Sequence, residues 1–240
     1  MLSNTWFKGA IIRGNRQEKK LAILFSADSL TEGGVYVDSV LQAENIKASF
    51  FFTGNYYRRP ANQPFIKKLQ LQGHYLGAHS NRHLLYCDWD KRDSLLIDRA
   101  DFRADLQANY NVMDSLGIST REAHYFLPPY EWYNDSIAAW TRSLGLQLVN
   151  FSPGTLSNAD YTWPELPNYR SNEKILESIL QYESEHADGL NGFLLLMHFG
   201  TDLRRKEKFY HLLPALIHDL KQRGYDFCRI DELLGHGAEK

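Results

Sequence analysis

Short runs of consecutive apolar residues alternate along this chain with longer segments whose apolar residues recur every three or four positions. The short runs have no polar face, which predicts strands covered on both sides. They fall at residues 21–25, 48–52, 75–78, 125–127, 146–151, 193–197 and 225–229. The periodic segments predict amphipathic helices at 36–44, 64–72, 100–116, 135–144, 172–182 and 209–223, with a short helix at 230–234. Local punctuation agrees: Pro64 stands at one helix start, and Gly73, Gly117 and Gly145 stand at helix ends. Strand alternating with helix predicts parallel pairing and an α/β fold. About seven such units favour a distorted (β/α) barrel, closed or nearly closed, over an open sheet. With no linker, internal repeat or low-complexity segment, one domain is expected over 1–240, with its core at about 21–234. Residues 152–171 form a long, weakly periodic stretch, and loops of that length are often functional.

Composition narrows the functional classes. The net charge is −2 with both signs interspersed, so no basic stripe points to nucleic acid. No apolar run approaches ~18 residues, so no transmembrane helix is expected. The N-terminus lacks the basic-then-apolar order of a signal peptide, which leaves the compartment open. Cys87 and Cys228 are too far apart in sequence to form a metal knuckle or a disulfide framework. Aromatic residues are plentiful; they fill cores and also suit the stacking walls of a sugar cleft.

The chemistry gathers where the apolar runs end. Asp28 follows the first run, His79 and His83 follow the third, and His198 ends the run at 193–197. Two histidines four residues apart share one face of a helical turn, from which both imidazoles reach one ion. Such a pair on an arbitrary helix is more often solvated or packed into a core. A carboxylate and three histidines, each at a strand end, is nevertheless the layout of a metal-assisted hydrolase.

These segments together resemble the polysaccharide deacetylases, the NodB-homology domains of carbohydrate esterase family 4. The resemblance spans roughly 21–234 and rests on four stretches in the family's order: 21–28, 48–54, 73–83 with its His-x-x-x-His and leading Gly-His, and 195–198. It implies a distorted barrel and one divalent ion, usually zinc, held by Asp28, His79 and His83. It implies an acetylated glycan as the partner, and His198 as the general acid. Two departures stand out. The family's first motif has adjacent carboxylates, the first a general base; here the pair reads Ala27-Asp28. The family's third motif is Arg-x-Pro-Tyr/Phe-Gly; here it reads Leu127-Pro128-Pro129-Tyr130-Glu131-Trp132. Joint departure at Ala27, Leu127 and Glu131 resembles a divergent bacterial branch with the same Leu-Pro-Pro-Tyr-Glu-Trp stretch, rather than an isolated lesion.

Deacetylation needs a metal to lower the pKa of water and polarise the carbonyl, a base, an acid and donors for the oxyanion. By family analogy the Tyr130 amide serves the oxyanion. Candidates for the missing base are Glu131, in the loop that approaches the metal in relatives, then Glu32, four residues after Asp28, then no dedicated base. Asp160 lies near where relatives carry an acidic residue that orients the acid histidine. Tyr130, Trp132, Asp160 and Tyr161 are the candidate substrate-side residues, with Tyr133 and Trp163 as further stacking candidates. Two other readings stay open: a glycan-binding pseudoenzyme that has lost its base, and a metal hydrolase of a non-carbohydrate C–N bond.

Overall fold

The two-residue period of the central strands divides their side chains between two cores. In a computed structural model, which describes residues 4–235, the longest strand is β3 (Lys20–Ala27). Its Leu21, Ile23 and Phe25 face a large helix-covered core, while Ala22 and Leu24 face a second, smaller cluster. The next parallel strand continues the split, with Phe50 and Phe52 on one side and Phe51 on the other. Strands buried on both faces are what the unbroken apolar runs encode.

In chain order the elements are β1 (Thr5–Phe7), β2 (Ala10–Arg13), β3, α1 (Gly34–Ala43), β4 (Ser49–Phe52), α2 (Gly54–Arg58), α3 (Gln63–Leu71), β5 (Tyr75–Ala78), α4 (Arg99–Ser115), β6 (Tyr125–Phe126), α5 (Asp135–Ser143), β7 (Gln147–Leu148), α6 (Asn172–Glu185), β8 (Leu194–Met197), α7 (Leu213–Gln222), β9 (Asp226–Phe227) and α8 (Ile230–Leu234). The main sheet runs β7-β6-β5-β4-β3-β8, all pairs parallel, with β9 also pairing with the start of β3. It curls around the smaller core, which α8 closes with Ile230, Leu233 and Leu234.

The α/β class, the parallel order and the curled barrel agree with expectation. The seam of the barrel does not come from an eighth parallel unit. β2 fills the gap between β7 and β8: Ile11 bridges Val149 in parallel, and Arg13 bridges Phe193 antiparallel. This explains why the predicted strand at 146–151 shortens to Gln147–Leu148. Beyond it, the Asn150 amide turns to Ile11 O and the Ser152 amide to Leu194 O. The β1–β2 hairpin was not foreseen. Its two-residue turn is Lys8-Gly9, both at positive φ, which matches the twist of a tight hairpin. The predicted helix at 209–223 divides into a 3-10 turn, Phe209–Leu212, and α7, because Pro214 offers no N–H to extend the α ladder backwards.

Candidate active site

The carboxyl ends of the parallel strands open into one cleft of about 850 Å³. Asp28 follows β3, His79 and His83 follow β5, Glu131 follows β6 and His198 follows β8; all five line the cleft.

The histidine pair is not on a helix, contrary to expectation. His79 to His83 is an irregular loop in which Ser80 (φ 71°) and His83 (φ 57°) take left-handed backbone angles. Those angles, rather than helical spacing, bring the two rings to 5.0 Å between centroids. The loop is held by Asp105, buried on α4. Its carboxylate accepts from Ser80 Oγ (2.8 Å), the Asn81 amide (2.9 Å) and Arg82 Nε (3.2 Å). Ser80 Oγ in turn accepts from the His83 amide at 3.1 Å. Asn109, one turn further along α4, accepts from the His79 amide at 3.1 Å. Sequence reading missed Asp105 and Asn109. Their signal was two polar residues one turn apart beside the stripe formed by Phe102, Leu106, Tyr110 and Met113.

His79 Nδ1 donates to Leu127 O at 2.9 Å, which leaves Nε2 as the lone-pair nitrogen. Burial, the adjacent His83 and the more distant His198 hold the His79 pKa well below the usual value, against the Leu127 hydrogen bond. Burial lowers His83 as well, with Asp28 opposing. Both rings are therefore neutral at pH 7, the form that ligates metals. Asp28 Oδ1 accepts from Thr53 Oγ1 (2.8 Å), and that hydroxyl also caps α2 by accepting from the Tyr56 amide. Among the described residues, no three His, Cys, Asp or Glu side chains already form a metal cage. The donor set nonetheless fits a divalent ion: two neutral imidazoles and a carboxylate fixed through its other oxygen, all facing one cleft.

The opposite wall holds His198. Asp160, fully buried in the 3-10 turn Ser157–Tyr161, accepts from His198 Nδ1 through one oxygen and from the His198 amide through the other, both at 2.7 Å. Full burial of Asp160 fits the role of orienting the acid histidine better than direct contact with substrate. Burial of the ring disfavours its charged form, but Asp160 outweighs this by charge and hydrogen bond and Glu131 adds to it, so the His198 pKa is raised. Tyr161 stands edge-on to the His198 ring and is 44% exposed, open to a ligand.

Glu131 occupies the family's glycine position, and its backbone shows why glycine suits it: φ is 54°, next to Tyr130 at 58°. A non-glycine residue in this region costs roughly 1–2 kcal/mol. Asn150 Nδ2 donates to Glu131 O at 3.0 Å and helps hold the turn. Removal from water raises the Glu131 carboxyl to about 7, with His198 opposing and Asp160 reinforcing the shift. Glu32 is engaged elsewhere. It accepts from the Thr201 amide and pairs with Lys208 at 2.9 Å, which hold its pKa down despite partial burial, and it does not line the cleft. Its role is to tie the β3–α1 loop to the β8–α7 loop, so it is withdrawn as a base.

Ala27 and Leu127 are both buried. An arginine at the buried position 127 would be a desolvated cation in need of a partner, whereas Leu127 packs into the smaller core. Tyr130 packs edge-on against His83 (4.4 Å) and is also 44% exposed. Trp132 lines the cleft with its Nε1 donating to Asp88 O at 3.1 Å. Trp163 instead lies under Arg204, away from the cleft. His74 is buried and accepts from the Ala48 amide, a packing role that burial reinforces by lowering its pKa to about 4. Trp89 and Arg92, in the loop after the histidines, also line the cleft and were not singled out from sequence.

A curled parallel sheet with titratable groups gathered at its strand carboxyl ends defines the class: a distorted α/β barrel with its cleft at those ends. The chain belongs to the polysaccharide deacetylase family, whose model matches residues 13–149. It is 25% identical over 217 residues to a peptidoglycan-N-acetylglucosamine deacetylase of Bacillus cereus, covering 90% of this chain and 89% of that one. It is 26% identical over 228 residues to a peptidoglycan-N-acetylmuramic acid deacetylase of Bacillus subtilis, covering 94% and 75%. Among solved structures, its fold matches a CE4 family pseudoenzyme from Bacillus anthracis with a TM-score of 0.71 at 19% identity, covering 96% of this chain and 70% of that one.

Proposed function

We propose that this chain is a metal-dependent hydrolase that removes acetyl groups from an N- or O-acetylated polysaccharide or oligosaccharide. The observation that carries the reading is the arrangement of Asp160, His198 and Glu131 facing Asp28, His79 and His83 across one cleft. Asp28, His79 and His83 would hold one divalent ion, with zinc suited to the two imidazoles. Such an ion lowers the pKa of water and polarises an acyl oxygen.

The chain's own groups complete the reaction. Glu131, with its carboxyl raised to about 7, takes a proton from the attacking water as the new C–O bond forms. The Tyr130 amide is positioned by family analogy to meet the oxyanion. His198, held in one tautomer by Asp160, gives its Nε2 proton to the leaving nitrogen or oxygen as the bond to the acetyl carbon breaks. Acetate and the free amine or alcohol result. The exposed faces of Tyr130 and Tyr161, with Trp132, offer stacking surfaces for sugar rings.

One observation favours a second reading. Ala27 removes the family's base, and a chain that kept the site without a base would bind glycan and not cleave it. Metal analysis with an acetate-release assay separates the two. The hydrolase shows about one equivalent of metal, lost in a His79→Ala, His83→Ala double variant, and acetate release from an acetylated glycan. Metal content equal in wild type and double variant contradicts the ligand set. Absence of acetate release on any acetylated glycan leaves the binding module.

A further inference from the structure

Among the described residues, Arg92 is the one lysine or arginine that lines the cleft. Its guanidinium lies 4.1 Å from the Trp132 ring centroid and 5.1 Å from that of Tyr133, with Phe7 beyond at 5.3 Å. Its Nε donates to Tyr133 O at 2.6 Å. That bond and the stack fix the plane of the fork and leave both Nη groups without a protein acceptor among the described residues. Among the described residues no carboxylate pairs with it: the adjacent Asp93 contacts Lys8 instead. The segment is itself anchored, since Asn134 Nδ2 donates to Arg92 O at 3.1 Å and Asp88 Oδ1 accepts from the Asp90 and Lys91 amides. A continuous wall of rings, Tyr130, Trp89 and Trp132, leads from His83 to this cation.

An oriented, unpaired guanidinium at the end of an aromatic wall is a receptor for a planar anion on a ligand that stacks along that wall. We propose that Arg92 is a specificity-determining residue that selects a glycan carrying a carboxylate on a sugar residue neighbouring the acetylated one. The proposal rests on the reading of the cleft as a glycan site and not on turnover. Its Nη groups, without a protein acceptor among the described residues, remain available to a ligand in the cleft that Arg92 lines.

The test is calorimetric binding at neutral pH with two oligosaccharides of equal length, one bearing a sugar carboxylate and the other its methyl ester. Wild type should bind the acid about 10-fold or more tightly than the ester, the scale of a charge-assisted pair. Arg92→Gln should bring the two affinities together by weakening the acid alone. Arg92→Lys should keep part of the preference, and added salt should shrink it in wild type. Equal wild-type affinity for acid and ester, or equal weakening of both by Arg92→Gln, overturns the proposal; the second result is what a merely structural arginine gives. Because the readout is binding, discrimination without acetate release would leave Arg92's role standing and remove the hydrolase. Acetate release without discrimination would do the reverse.

Discussion

At the end of β5, His79 donates to a backbone carbonyl, packs against a second imidazole and has its pKa pushed well down. At the end of β8, His198 donates to a buried carboxylate and has its pKa pushed up. Both rings line one cleft, and burial acts against protonation of each. The acceptor on Nδ1 decides the difference: a neutral carbonyl leaves burial dominant, whereas a carboxylate supplies the charge that makes an imidazolium tolerable. One fold thus gives the same side chain two opposite protonation preferences, suited to the proposed metal ligand and the proposed proton donor. The cleft they share departs from the family, with Ala27 in place of a carboxylate and Glu131 in place of glycine.

The comparison breaks most sharply at the acid. His198→Ala should lower turnover by about 10²–10⁴-fold while metal content and fold survive. Asp160→Asn should convert the His198 environment toward that of His79. Its pKa, followed by NMR titration, should fall, and the alkaline limb of the activity profile should move to lower pH. In wild type, activity should rise as Glu131 ionises and decline as His198 loses its proton, at a pH above the ordinary imidazole value. The folded His198 pKa is raised, so the Asp160 pair stabilises the fold fully below the unfolded histidine value and fades as pH rises through the folded one. A His198 pKa unchanged by Asp160→Asn would contradict the account.

The histidine loop comes next. Asp105→Ala leaves the Asn81 amide and the Ser80 hydroxyl without their acceptor, at roughly 1–3 kcal/mol for each, so a clear loss is expected by denaturant unfolding. Metal affinity should fall with it, while the His198 titration stays put. A smaller effect sits at Glu131. Its carboxyl is raised from 4.5 to about 7, so it is protonated in both states at pH 4 and disfavours folding increasingly between 4.5 and 7. Glu131→Gln should match wild-type stability at pH 4 and exceed it above pH 7, by up to about 3 kcal/mol. Smallest is the backbone: Glu131→Gly relieves the left-handed strain, at the cost of a freer unfolded chain, leaving a net gain of about 1 kcal/mol or less beyond the loss of charge.

The parallel strands and their helices were legible because buried strands write apolar runs and helices write a 3.6-residue stripe. The β2 seam was not: four residues, Ala-Ile-Ile-Arg, carry too little pattern, and their partners, Val149 and Phe193, lie far along the chain. His79 and His198 were readable because each directly follows an apolar run, Asp28 because it lies three residues beyond one, and His83 because it stands four after His79. Glu32 misled because sequence shows spacing and not the Lys208 that pairs with it. For Asp160 the sequence left an orienting and a substrate-side role side by side, since only the fold reveals that it is buried against His198. Trp89 and Arg92 lie in a loop without periodicity, where nothing in the sequence says which way a side chain faces.

The central claim is that Glu131, held at a strained glycine position, supplies the proton acceptor that Ala27 lacks. Acetate release from one panel of acetylated oligosaccharides, measured side by side for wild type, Glu131→Gln and Ala27→Asp at equal metal content, tests it most directly. The account predicts release by wild type, loss of about 10²-fold or more in Glu131→Gln, and no dependence on a carboxylate at position 27. Full activity in Glu131→Gln, or a silent wild type that gains activity only in Ala27→Asp, would contradict it.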